Sequence, residues 1–80
     1  MIMPRYFFHV RDCDGLSLDE EGVELASDDR ARAEAMQAAR EMLAEKILKG
    51  EVVDGARFEV IRIDGVVIAT IPVRSALRLD

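Results

Sequence analysis

The stretch Arg57-Phe58-Glu59-Val60-Ile61-Arg62-Ile63-Asp64-Gly65-Val66-Val67-Ile68-Ala69-Thr70-Ile71-Pro72-Val73 decides the fold. Two runs rich in branched aliphatics flank Asp64-Gly65, a dipeptide suited to a two-residue hairpin because glycine takes positive φ without a steric penalty. Strands are expected over 57–63 and 66–73. Placing Ile63 opposite Val66 sets the register, and successive side chains must then alternate between faces. Arg62/Val67, Val60/Ala69 and Phe58/Ile71 fall on one face, and Ile63/Val66, Ile61/Ile68 and Glu59/Thr70 on the other. Pro72 has no N–H to give to a ladder and fits an edge or a strand end.

Upstream of this hairpin, Ser27-Asp28-Asp29 is a helix start: a hydroxyl for the orphan backbone donors, then two carboxylates at the positive end of the helix dipole. The helix is expected over 28–49, closed by Gly50 with Lys46 and Lys49 in its last turn. At 100° per residue, Ala31, Ala35, Met36, Ala38, Ala39, Met42, Leu43 and Ile47 share one arc, and Arg30, Glu34, Gln37, Arg40, Glu41 and Glu45 occupy the opposite one. Pro4 to Arg11 alternates strictly, with Tyr6, Phe8 and Val10 on one side and Arg5, Phe7, His9 and Arg11 on the other. A short strand over 16–18 follows the Asp14-Gly15 turn, and another is expected over 23–25 after Asp19-Glu20-Glu21-Gly22. One α+β domain results, ββ(β)αββ, an antiparallel sheet with one long helix packed on one face, followed by a tail over 74–80.

The helix can cover only one side of that sheet. Ile61, Ile63, Val66 and Ile68 would stay on the other, and a greasy patch in water is usually an interaction site. The 80-residue chain sits where apolar burial and conformational entropy nearly cancel, so hiding more surface matters. A homodimer, sheet to sheet or edge to edge, is the expectation, with Ile61, Ile63, Val66, Ile68, Phe7 and His9 as candidate interface residues. The competing expectation folds the N-terminal hairpin, or the tail with Leu77 and Leu79, over the same face.

Composition narrows the rest. Half the residues are apolar and 34% charged, which excludes a disordered chain; no apolar run approaches a membrane span. A lone Cys13 makes no intramolecular disulfide and no secretion signal opens the chain, so a cytoplasmic protein is expected. Net charge is −5, unevenly laid out: Asp12, Asp14, Asp19, Glu20, Glu21, Glu24, Asp28 and Asp29 follow one another without a base. Asp12, Asp14, Asp19, Glu20 and Glu21, with Arg5 and Arg11, are candidate docking residues for a partner.

Chemistry is thin. His9 and Cys13 are four apart on an extended strand, about 13 Å, too far for a dyad. Asp12-Cys13-Asp14-Gly15 matches a calcium loop only in part. No enzyme, no cofactor and no metal is expected. Alternating cations and rings at Arg5, Phe7, His9 and Arg11 would suit stacked bases, but the adjoining acids and the absence of a lysine cluster weigh against nucleic acid.

The string Pro4-Arg5-Tyr6-Phe7-Phe8-His9-Val10-Arg11-Asp12, then Asp14-Gly15, Asp19-Glu20-Glu21-Gly22-Val23-Glu24-Leu25, Asp54-Gly55, Arg57-Phe58-Glu59-Val60 and Asp64-Gly65 through Ile71-Pro72, resembles a family of small bacterial proteins known as a domain of unknown function. The resemblance spans nearly the whole chain and implies kinship without activity, for no catalytic or ligand residue is assigned there; Cys13 stands where that family suggests a small residue such as glycine. A looser likeness, through Asp14-Gly15, Gly22, Ala35, Ala39 and Glu41, is to the antitoxin of an mRNA-interferase pair. It implies a basic toxin neutralised by the acidic segment.

Overall fold

The computed structural model describes residues 3–12, 15–51 and 55–77. The elements run β1 (Arg5–Asp12), β2 (Gly15–Ser17), β3 (Val23–Glu24), α1 (Asp28–Leu48), β4 (Arg57–Arg62), β5 (Val67–Pro72) and a 3₁₀ turn, Val73–Leu77. All pairings are antiparallel. The order is β2-β1-β4-β5, and β3 pairs with β1 on the same side as β2. The class is α+β, with strands before and after one helix.

The alternation read in β1 sets the register with β4: Tyr6 lies opposite Arg62, Phe8 opposite Val60 and Val10 opposite Phe58. These pairs face the helix. Tyr6, Phe58, Val60, Ile71 and Val73 meet Ala31, Ala35, Ala39 and Leu43 in the core. Three alanines with no exposed surface let the helix axis lie close to the sheet, and small side chains there lose little rotamer entropy.

Both helix ends follow from their sequence. Ser27 Oγ accepts from the Arg30 N–H at 3.1 Å. At the other end Gly50, at φ 71°, lets its own N–H reach Ile47 O at 3.1 Å and the Glu51 N–H reach Lys46 O at 2.8 Å, the paired bonds of a Schellman motif. Ile47, expected on the buried arc, is instead 57% exposed. The reason is length: 21 helical residues rise about 31 Å, whereas a six-residue strand covers about 20 Å.

The second hairpin departs from its expected turn. Gly65 N–H donates to Arg62 O at 2.8 Å and Arg62 N–H to Val66 O at 2.9 Å, so Ile63, Asp64 and Gly65 form a three-residue loop. A two-residue turn of the primed type needs positive φ at Asp64 as well, and no described non-glycine residue adopts it. Asp64 instead accepts the Val66 N–H and holds the Arg62 guanidinium. The added loop residue is absorbed by a bulge: Val60 still pairs with Ala69, but Ile61 pairs with Val67, leaving Ile68 as the extra residue.

The tail also corrects an expectation. β5 stops at Pro72, and Val73, whose N–H donates to Ala56 O at 2.9 Å, is fully buried. The 3₁₀ turn packs on α1, with Ala76 against the core. The described part of the tail thus lies on the helix side, and Leu79 falls outside the described residues.

Candidate interaction face

On the side away from α1 the sheet presents Phe7, Ile61 and Val67 in one cross-strand row and His9, Glu59 and Thr70 in the next. Arg11, Leu16, Arg57 and Pro72 make a third. No described element is layered over these rows, and the Cα envelope measures only 16 Å in its shortest direction, one sheet and one helix thick. Phe7 and His9 stack at 6.3 Å between ring centroids.

Of the candidate interface residues, Phe7, His9 and Ile61 lie on this face. Ile68 does not. The bulge turns it toward the core, against which it is half-buried, and brings Val67, 60% exposed, beside Ile61 instead. Ile63 and Val66 flank the hairpin tip and are exposed; they border the face from the loop.

Charge on the face is largely paired. Glu59 Oε2 holds Arg11 Nε at 3.1 Å and Arg57 Nε at 3.7 Å. Arg5 donates to Glu21 O at 2.7 Å and lies 3.9 Å from Glu24. Both docking cations are therefore engaged within the chain. Of the docking acids, Glu20 and Glu21 are exposed, Asp12 is half-buried, and Asp14, like Cys13, falls outside the described residues.

Asp19 has a different role from the one its composition suggested. β2 and β3 flank a gap along the edge of β1, and the chain between them arches across it. The Asp19 carboxylate accepts the N–H groups of Phe8 at 3.1 Å, Gly22 at 3.1 Å and Glu21 at 3.3 Å. Burial alone would raise its pKa, but these backbone donors outweigh it and hold the carboxyl below the usual range. Asp19 N–H in turn donates to His9 Nδ1 at 3.0 Å. Gly22, at φ 70°, is pressed so close that a Cβ would sit 2.8 Å from Tyr6 O and 2.9 Å from Phe7 Cε1. The motif could be seen in sequence only as a turn; its partners are set by the gap in the sheet.

A second polar group, missed from sequence, lies at the helix N-terminus. Tyr6 Oη donates to Asp28 Oδ1 at 2.6 Å. Arg62 spans Asp28 at 3.0 Å and Asp64 at 2.9 Å. The hydrogen bond to Asp28, with burial, raises the Tyr6 pKa; the same bond is the main cause that lowers Asp28. Arg62 lowers Asp64 and is itself raised by its carboxylates. The signal was present in part, since the register sends Arg62 to the helix face, where a charge needs a partner. The knot ties α1 to β1 and β4.

Two shallow clefts are lined by described residues. One, of about 230 Å³, lies between the helix end and β1, beside Val10, Met42 and Lys46. Its cations are already paired, Lys49 to Glu45 at 2.7 Å and Lys46 to Glu51 at 3.7 Å. The other, of about 270 Å³, lies between Arg57 and Arg74. Among the described residues no three of His, Cys, Asp and Glu gather as metal ligands would, and no helix is long and apolar enough to cross a membrane.

An antiparallel sheet backed by one helix, with its other side open, defines a two-layer α+β module. Residues 5–74 match the family described as a domain of unknown function, DUF6894, and the chain belongs to that family. Neither the curated proteins nor the solved structures contain a match to it.

Proposed function

We propose that this protein is a small, non-enzymatic interaction module of the cytoplasm that associates with a second copy of itself through the open sheet face. The row Phe7, Ile61 and Val67 carries the reading, because these are apolar side chains on a face for which the described chain supplies no cover. A second copy suits the charge pattern. Glu59 offsets one of the two charges of Arg11 and Arg57, so an identical face meets a single net positive charge there rather than an unbalanced cluster. Four strands at about 4.8 Å and six residues at about 3.3 Å give a patch of roughly 400 Å² in projection. That is enough for a modest isologous contact, with side-chain relief adding to the area.

Face-to-face packing is favoured over edge pairing. The β5 edge carries a bulge and ends in Pro72, both of which discourage strand addition, while the opposite edge is occupied by β2, β3 and the Asp19 arch. Size-exclusion chromatography with light scattering tests the proposal. The wild-type chain is expected at twice its 8.9 kDa mass at high micromolar concentration, and Ile61→Lys at the monomer mass with an unchanged circular dichroism spectrum. A monomeric wild type would refute it.

A further inference from the structure

We propose that His9 is a proton-operated latch for the arch over 18–22, and that self-association through the open face weakens as His9 takes up a proton. The latch stands on hydrogen-bond geometry; its effect on association rests on the reading of the open face given above.

An imidazole nitrogen accepts a hydrogen bond only while it carries no proton. His9 Nδ1 accepts the Asp19 N–H at 3.0 Å, which fixes the ring as the Nε2–H tautomer. A proton on Nδ1 sets one donor against another, and the bond is lost. Among the described residues, two carboxylates neighbour His9. Glu59, across the ladder on β4, is occupied by Arg11 and Arg57. The other belongs to Asp19, and turning it toward an imidazolium takes it off the Phe8, Glu21 and Gly22 N–H groups that hold the arch down. Either response loosens the arch.

The consequence reaches the interface because the arch braces it. Gly22 lies against the Phe7 ring, and Phe7 stacks on His9. Phe7, Phe8 and His9 are therefore held from the same side by ring contact, backbone bond and imidazole bond in turn. Asp19 itself stays ionised through mildly acidic solution, since its carboxyl lies below the usual range, so its own protonation does not release the arch there.

Amide hydrogen exchange at about pH 8 and pH 5, limits between which imidazoles ordinarily titrate, reads the latch when corrected for intrinsic rates. Protection of the Phe8 and Asp19 amides in wild type should fall roughly tenfold on acidification, the loss of one hydrogen bond, while the central Val60 amide keeps its protection. His9→Asn offers an amide oxygen that accepts at any pH, so its Phe8 protection should not change. Sedimentation equilibrium at both pH values should show the wild-type dimer weakening and the variant constant. Phe8 protection that is unchanged in wild type, or that falls equally in His9→Asn, overturns the latch. So do wild-type imidazole ¹⁵N shifts that report an Nδ1–H tautomer at pH 8, a readout needing no variant. A chain that is monomeric throughout, yet whose Phe8 protection follows His9, upholds the latch and refutes the association reading.

Discussion

The two faces of one sheet are built from alternate residues of the same strands, and they end in different states. Tyr6, Phe58 and Val60 are sealed beneath α1, while Phe7, Glu59 and Ile61, their immediate neighbours, stay half-buried on the open side. Hydrophobicity does not separate the two sets, since each contains a phenylalanine and a branched aliphatic. What separates them is the layer above: the alanine stripe of α1 presses on one side and no described element on the other. Polar groups show the same contrast. The Tyr6, Asp28 and Arg62 knot closes the helix side by joining three elements, whereas Arg11, Arg57 and Glu59 pair only within the sheet.

The largest expected effect comes from emptying the sealed face. Phe58→Ala should cost about 3–5 kcal/mol in urea unfolding, because a buried ring is replaced by a cavity. A loss below about 1 kcal/mol would mean that the helix side is not the core. Gly22→Ala comes next, at about 1–3 kcal/mol, since alanine at φ 70° is strained and its methyl would press on Tyr6 O and Phe7. Heteronuclear NMR should place its shift changes along β1 and the arch.

Asp19→Asn should cost about 1–2 kcal/mol at neutral pH, because a carboxamide accepts backbone N–H groups less strongly than a carboxylate. It also changes the acid limb. A carboxyl whose folded pKa lies below its unfolded value adds stability above the unfolded pKa and loses it as pH falls through the folded one. Asp28 and Asp64 are lowered too, so the wild type should lose stability in acid through several groups, and Asp19→Asn should show a shallower slope. Equal slopes would mean that the arch contributes nothing there. The smallest stability change is expected of Phe7→Ala, under about 1 kcal/mol for a half-exposed side chain in the isolated chain, with the dimer lost nonetheless. A stability loss matching that of Phe58→Ala would erase the contrast between the faces.

Much of this architecture was legible because it is periodic or local. Strict alternation from Tyr6 to Val10 assigned the faces of β1, and Ser27 and Gly50 marked the helix ends through bonds spanning only a few residues. The bulge was not legible, because Asp64-Gly65 admits both a two-residue and a three-residue loop, and the choice turns on whether Asp64 takes positive φ, which it does not. That one step moved Ile68 inward and Val67 outward. Asp19 was read as surface charge because its amide partners, Phe8 and Gly22, become available only once β2 and β3 leave a gap along β1. Tyr6, Asp28 and Arg62 are far apart in sequence, and only the docked helix brings them together.

Isotope-filtered NMR on a mixture of ¹³C-labelled and unlabelled chains tests the central claim most directly. Contact between two open faces predicts cross-chain NOEs from the Ile61 and Val67 methyls to the Phe7 ring, with none involving Val60 or Ile71. Cross-chain NOEs confined to helix-side residues, or none at high micromolar concentration, would contradict it.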